Sequence, residues 1–106
     1  MRCEYMVQKD GYKAKIFVTV PNFDFSDLNY RISDVSILPK GKRKWISIGE
    51  DIRERYAYRV LDIERRHQYA KEQYLQYVSW EDMCAALEFA YARLKPDYEN
   101  IDFIVI

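Results

Sequence analysis

The sequence is poor in the residues that carry metal or nucleophilic chemistry. Among its 106 residues there are two cysteines, Cys3 and Cys84, and one histidine, His67. Two cysteines that lie so far apart along the chain form neither a disulfide framework nor a zinc knuckle. We therefore expect two reduced and mostly buried thiols, no metal and no cofactor.

Glycine is scarce as well, and the sequence carries no net charge. The three glycines, Gly11, Gly41 and Gly49, stand in no pattern that cradles a phosphate. Basic and acidic residues number 17 each, so the formal net charge is zero and no field of the whole molecule attracts nucleic acid or an anionic membrane. A nucleic-acid site would have to be a local patch.

Long apolar runs are absent from the sequence. None approaches the roughly 20 residues of a membrane-spanning helix, and the first residues alternate in polarity instead of forming an export signal. These features predict a cytoplasmic protein without a membrane partner. Because 49% of the residues are apolar and 32% are charged, residues 1–106 have the balance of a single globular domain.

Alternating polarity in the first half of the chain predicts four antiparallel strands. Residues 2–8 and 12–20 alternate on either side of an Asp-Gly turn, which predicts a hairpin. Residues 30–38 change their alternation near Asp34, which indicates a bulged strand. Residues 43–48 alternate as a short fourth strand.

The second half of the chain has a helical period. Apolar residues recur at steps of three and four from Glu50 to Val78, which predicts one long helix with a single buried stripe. Ser79 is a suitable N-cap for a second helix that runs to Leu94 and is ended by Pro96. The stripe of the first helix comprises Ile52, Tyr56, Val60, Ile63, His67, Ala70, Tyr74 and Val78.

The apolar segment at residues 101–106 predicts a C-terminal strand that returns to the sheet. The predicted fold class is therefore α+β: a four-strand antiparallel meander plus the C-terminal strand, with two adjacent helices packed on one face. The predicted order is β-β-β-β-α-α-β, which disfavours a ferredoxin-like arrangement because the two helices are adjacent in sequence.

His67 takes part in both arrangements that could carry chemistry. Glu64 precedes it by three residues, the spacing used in di-iron helices, but a di-iron site needs two such pairs. Cys84 and His67 would make a thiolate–imidazole couple if their helices faced each other, yet no third residue orients them. We therefore expect no catalytic residue. The enzyme hypothesis would instead predict that His67 or Cys84 lines a cleft.

Tyrosine is unusually abundant, with ten copies. Along the predicted first helix, Tyr58 and Tyr69 fall off the apolar stripe and close to several arginines. Tyrosine and arginine are enriched in interface hot spots because each combines contact area with a polar tip. The competing interpretation is a small domain that simply exposes some of its tyrosines. The predicted partner-binding residues are Arg55, Tyr58, Arg59, Arg66 and Tyr69.

The densest basic patch lies in residues 40–45. Its lysine and arginine side chains could bind phosphates while the indole ring of Trp45 stacks on a base. The competing interpretation is a solvated hairpin tip whose lysines protect a sheet edge. The predicted nucleic-acid contacts are Lys40, Lys42, Arg43, Lys44 and Trp45.

These features favour a small non-catalytic binding protein. It would act by occupying the surface of a protein partner, as an immunity protein, an antitoxin or a mobile-element inhibitor does. A nucleic-acid-associated accessory protein that uses residues 40–45 is the alternative, and an enzyme with an unrecognised pocket is a third hypothesis. A homodimer is a further hypothesis, because an apolar second helix or an open strand edge can be completed by a second copy.

Overall fold

The computed structural model describes residues 2–19, 30–54 and 61–94. The α+β class is confirmed, whereas the predicted C-terminal strand at residues 101–106 lies outside the described residues. That residues 1–106 form a single domain stays a prediction. Four strands come first, namely β1 (Arg2–Lys9), β2 (Tyr12–Thr19), β3 (Arg31–Pro39) and β4 (Ile46–Ser47). Three helices follow, namely α1 (Ile48–Glu54), α2 (Ile63–Tyr74) and α3 (Trp80–Leu94).

The four strands form one antiparallel sheet in the order β1-β2-β3-β4. Lys9 pairs with Tyr12, so Asp10 and Gly11 form the two-residue turn of the predicted hairpin. Gly11 has a φ of 83°, a left-handed conformation that glycine adopts without a steric penalty. The alternating pattern of the first two strands therefore predicted this hairpin correctly.

A β-bulge at Ser33 interrupts the pairing of β2 with β3. Phe17 pairs with Asp34 and Val18 pairs with Ile32, which leaves Ser33 as the extra residue. The Ser33 hydroxyl donates a hydrogen bond to the carbonyl of Phe17 at 3.3 Å. Because of the extra residue, Ile32 packs against the core although it is out of phase with the rest of the strand. The bulge predicted near Asp34 is confirmed.

The core lies between one face of the sheet and the helices. Alternate residues of β2 enter it, as a half-buried strand requires. From the helical side, Ile52 of α1, Tyr74 of α2 and Met83 of α3 meet these strand residues in one cluster. The buried members are Ala14, Ile16, Val18, Val35, Ile48, Ile52, Tyr74, Val78, Met83, Ala86 and Ala90.

The carboxylate of Asp34 connects β3 to the start of α1. Its Oδ1 accepts hydrogen bonds from the backbone N–H groups of Val35 at 2.8 Å and Gly49 at 2.7 Å. Its Oδ2 accepts from the Ser47 hydroxyl at 2.7 Å. Ser47 Oγ in turn accepts from the N–H of Glu50 at 3.1 Å, as a helix N-cap does. β4 is shorter than the predicted fourth strand at both ends: residues 43–45 lie outside it, and it ends at Ser47 because Ser47 caps α1.

Close packing around Asp34 leaves no room for a side chain at Gly49. A Cβ atom at this position would lie 2.5 Å from Asp34 Oδ1 and 3.2 Å from Tyr74 Oη. A carbon atom cannot approach an oxygen that closely without displacing it, since protein interiors are already close-packed. Glycine at position 49 therefore lets α1 approach both β3 and α2.

The prediction of a single helix from Glu50 to Val78 is wrong. α1 ends at Glu54, and α2 begins after Asp62. The backbone of Asp62 is extended, and its side chain accepts a hydrogen bond from the N–H of Arg65 at 2.9 Å. Asp62 is therefore an N-cap that starts a new helix.

The new start of α2 changes which of its residues are buried. Ile63 and His67 belong to the predicted stripe, but both are exposed, and Ile63 is 67% accessible to solvent. Ala70 and Tyr74 pack against the core as predicted. Tyr69, which the predicted stripe left outside, is half-buried and packs against the core as well.

The start of α3 agrees with its sequence pattern. Ser79 and Asp82 form a capping box: the N–H of Asp82 donates to Ser79 Oγ at 3.0 Å, and the N–H of Ser79 donates to Asp82 Oδ2 at 2.8 Å. Lys9 Nζ lies 2.6 Å from the same carboxylate oxygen, which joins α3 to the first hairpin. Tyr12 Oη donates to the carbonyl of Tyr77 at 2.6 Å and holds the turn before α3 on that hairpin.

The Lys9–Asp82 ion pair shifts the pKa values of both members. The hydrogen bond to Asp82 raises the pKa of Lys9 above its ordinary value. Burial acts to raise the pKa of Asp82, but the hydrogen bonds from Lys9 and Ser79 outweigh burial and hold the pKa of Asp82 below its ordinary value. The pair therefore stabilises the folded state at pH values between the ordinary pKa values of the two groups.

We expect that Asp34→Ala lowers the free energy of unfolding by about 2–4 kcal/mol, because hydrogen bonds to charged groups are strong and their donors would lose an acceptor. Asp34→Asn should cost less, because its carbonyl oxygen can still accept from the N–H of Gly49. Urea unfolding followed by circular dichroism measures both values. The matched control is Glu54→Ala, an exposed carboxylate of α1, which should change the value by less than about 0.5 kcal/mol. An equally small effect of Asp34→Ala would contradict the connecting role of this carboxylate.

We expect that Lys9→Met lowers the free energy of unfolding at pH 7 by about 0.5–1 kcal/mol, the upper part of the range for surface ion pairs, because both side chains are partly buried. The difference from the wild type should vanish as the pH falls through the lowered pKa of Asp82, because a protonated carboxyl no longer attracts Lys9. It should also vanish as the pH rises through the raised pKa of Lys9. Urea unfolding between pH 2.5 and pH 11 tests this profile. Lys13→Met, at an exposed position of the same hairpin, should show no such window.

Candidate functional site

A cleft of about 700 Å³ opens between β3 and the three helices. This volume falls within the range of roughly 300–1,000 Å³ that is typical of ligand sites. Apolar side chains from each element line it, including Ile32 of β3, Ile52 of α1, and Met83 and Leu87 of α3. Ile52 and Met83 are buried, whereas Ile32 and Leu87 are half-buried, so the cleft adjoins the core.

Basic side chains surround this apolar lining. Arg31 comes from β3, Arg53 from α1, and Arg66, His67 and Lys71 from α2. Among the described residues that line the cleft, none is acidic. Because a concave surface with charges of one sign focuses the electric field, the cleft attracts anionic groups although the whole chain is neutral.

The basic residues of the cleft differ in how firmly they are held. Arg66 is half-buried, and its Nε donates to the carbonyl of Leu61 at 2.6 Å. Lys71 Nζ lies 4.6 Å from the centre of the Trp80 ring, a cation–π contact. Arg31 and Arg53 are exposed and have no acidic partner in the part of the chain that the structure describes. Both guanidinium groups are therefore available to an anion.

Two of the five predicted partner-binding residues, Arg66 and Tyr69, lie in the described structure. Arg66 lines the cleft, whereas Tyr69 packs against the core and is absent from the lining. Arg55, Tyr58 and Arg59 lie outside the described residues. Because α2 begins after Asp62, Arg66 and Tyr69 belong to a helix separate from α1, and the partner-binding role of the five residues stays a prediction.

The predicted nucleic-acid contacts lie at the opposite end of β3, in the loop that leads to β4. Lys40, Lys42, Arg43 and Lys44 are exposed. The loop is anchored by a hydrogen bond from the N–H of Lys40 to the carbonyl of Gly11 at 2.8 Å. Trp45 is half-buried, and Lys15 Nζ of β2 lies 4.2 Å from the centre of its ring. The basic patch thus extends from the loop onto the sheet.

The candidate catalytic pair is not assembled. His67 lines the cleft, as the enzyme hypothesis requires, but Cys84 is not part of the lining. No hydrogen bond of the described residues involves the imidazole. In residues 2–19, 30–54 and 61–94, no group of three or more histidine, cysteine or acidic side chains could hold a metal ion.

Arg31, Arg53 and Lys71 are site residues that the sequence analysis missed. One signal was present, because Asp62 directly precedes an apolar and an acidic residue, the pattern of a helix start. It could have placed Lys71 on a separate helix. No local pattern reveals Arg31 or Arg53, since their proximity arises only when β3 and α1 come together.

No protein family matches the sequence, and neither a curated protein nor a solved structure matches the chain. No helix within the described ranges is long and apolar enough to cross a membrane. The chemistry of the cleft and of the basic loop therefore carries the functional interpretation.

Proposed function

We propose that the protein is a small non-catalytic binding domain that recognises an acidic region of a protein partner through the cleft. The observation that carries this proposal is the set of basic residues around an apolar lining, with no acidic residue among the described lining residues. A partner that presents carboxylates next to apolar side chains matches both properties. Immunity proteins, antitoxins and inhibitors of mobile elements act by this kind of surface occupation.

Exposed apolar side chains beside the cleft support a protein as the ligand. Trp80 lines the cleft and is 57% accessible to solvent. Ile63 is 67% accessible and lies on the same face of α2 as Arg66 and His67, three and four residues further on. Tryptophan and arginine are the residue types that carry most of the energy in protein interfaces. Together these residues give the cleft a rim suited to a large surface.

The exposed position of His67 favours binding over catalysis. A general base needs a second group that orients its ring and a nucleophile within hydrogen-bond distance. His67 is exposed, and no described residue forms a hydrogen bond with it.

We expect that the double variant Arg31→Glu/Arg53→Glu loses its partner, because two attractive contacts become repulsive. The measurement is affinity purification of the tagged protein from its native host at physiological salt after nuclease treatment. Quantitative mass spectrometry should show one protein at near-stoichiometric amounts with the wild type and at least tenfold less with the variant.

The matched control is Arg65→Glu/Arg93→Glu, which makes the same charge change at two exposed positions outside the cleft lining. This variant should retain the partner, and urea unfolding should show that both double variants are folded. Equal recovery with the cleft variant and the control would refute the cleft as the binding site.

A second candidate function, binding of single-stranded nucleic acid, is favoured by the basic loop. Lys40, Lys42, Arg43 and Lys44 form no ion pair with any described residue. Trp45 beside them offers part of an aromatic face. Free cations next to an aromatic ring are the usual elements of such a site.

For this second function we expect that Lys42→Glu/Arg43→Glu weakens binding of a fluorescein-labelled 20-residue oligothymidylate at least tenfold in 50 mM salt. Fluorescence anisotropy gives the affinity. With about four phosphate contacts, the wild type should show a slope near −3 for the logarithm of affinity against that of salt concentration. The Arg65→Glu/Arg93→Glu control should bind as the wild type does; equal affinity of all three proteins would exclude the loop.

A further inference from the structure

One stretch of the sheet edge borders the cleft. β2 pairs with β3 along its length, but on the other side β4 pairs only with Ser36 and Ile37. Residues 31–33 of β3 therefore have no strand partner on that side within the described part of the chain, and all three line the cleft. Val35 differs, because its N–H already donates to Asp34 Oδ1.

An open strand edge is a template for another extended chain. Its backbone N–H and C=O groups can pair with a peptide, as in recognition by strand addition, and the neighbouring pockets then select side chains. Here the accessible apolar lining includes the half-buried Leu87 and the exposed Trp80, and the basic groups Arg53 and Lys71 lie beside it. Both kinds of surface lie beside the same short edge.

We propose that the partner contributes an extended, acidic segment that adds as a strand to residues 31–33 of β3. This inference rests on the proposed function and specifies how the cleft is occupied. Alternate side chains of an added strand point to the same face. An acidic residue followed two positions later by an apolar one therefore presents both to the cleft. The proposed ligand is an extended peptide that contains an acidic residue, then any residue, then an apolar residue.

The probe is a fluorescein-labelled peptide of sequence TETVTETV, in which glutamate and valine alternate with threonine. It should bind in the micromolar range by fluorescence anisotropy, and the Arg31→Glu/Arg53→Glu variant should bind it at least tenfold more weakly. The peptide TKTVTKTV, with lysine in place of glutamate, should bind at least tenfold more weakly to the wild type. The Arg65→Glu/Arg93→Glu control should bind both peptides as the wild type does.

Two N-methylated forms of TETVTETV test the strand itself. One is methylated on the threonine amides and the other on the glutamate and valine amides. Because an added strand uses only alternate N–H groups for pairing, one form should lose at least tenfold in affinity while the other stays within about threefold of the parent. A helical or irregular mode of binding would not separate the two forms in this way.

The outcomes distinguish the two levels of the proposal. If TETVTETV fails to bind at 1 mM, or if both methylated forms bind alike, strand addition is refuted. The cleft as the partner site would still stand if the cleft variant loses its partner in the affinity purification. If that variant keeps its partner, the proposed function fails whatever the peptides do.

Discussion

The carboxylate of Asp34 is the contact on which the rest of the structure depends. It accepts hydrogen bonds from the N–H groups of Val35 and Gly49 and from the hydroxyl of Ser47. Without these donors the desolvation of a partly buried carboxylate would not be compensated, and without the carboxylate the N–H of Gly49 would lack its acceptor. Asp34, next to the bulge in β3, therefore holds both Ser47, which caps α1, and Gly49, two residues later, through one carboxylate.

The cleft follows from this arrangement. Because Ser47 caps α1 directly after β4, the fourth strand ends after pairing with only two residues of β3. α1 then lies against β3, which leaves residues 31–33 of that strand uncovered by a strand within the described ranges. α2 and α3 complete the walls of the space beside this edge. The contact that joins the sheet to the helices thus also creates the surface to which we assign binding.

Local patterns predicted the elements whose signals are local. The hairpin, the bulge next to Asp34 and the capping box of α3 each depend on a few adjacent residues, and all three are present. The prediction of one long helix is wrong because residues 50–78 share a single helical period although the N-cap at Asp62 starts a new helix. The site was missed for another reason: Arg31, Arg53 and Lys71 are distant in sequence, and only the contact of α1 with β3 and α2 brings them together.

The distribution of charge explains how a neutral chain can have a basic site. Acidic residues occupy the first turns of the helices, with Glu50 in α1, Glu64 in α2 and Glu81 in α3. There they stabilise the helix dipoles, and none of them lines the cleft. Arg31 and Arg53, which line the cleft, are therefore left without an acidic partner among the described residues. A chain of zero net charge has no long-range attraction for polyanions in general. The field of a local group of charges is screened within roughly 8 Å at physiological salt. Under the proposed function, a local positive field beside an apolar lining selects a partner that brings carboxylates within that short distance.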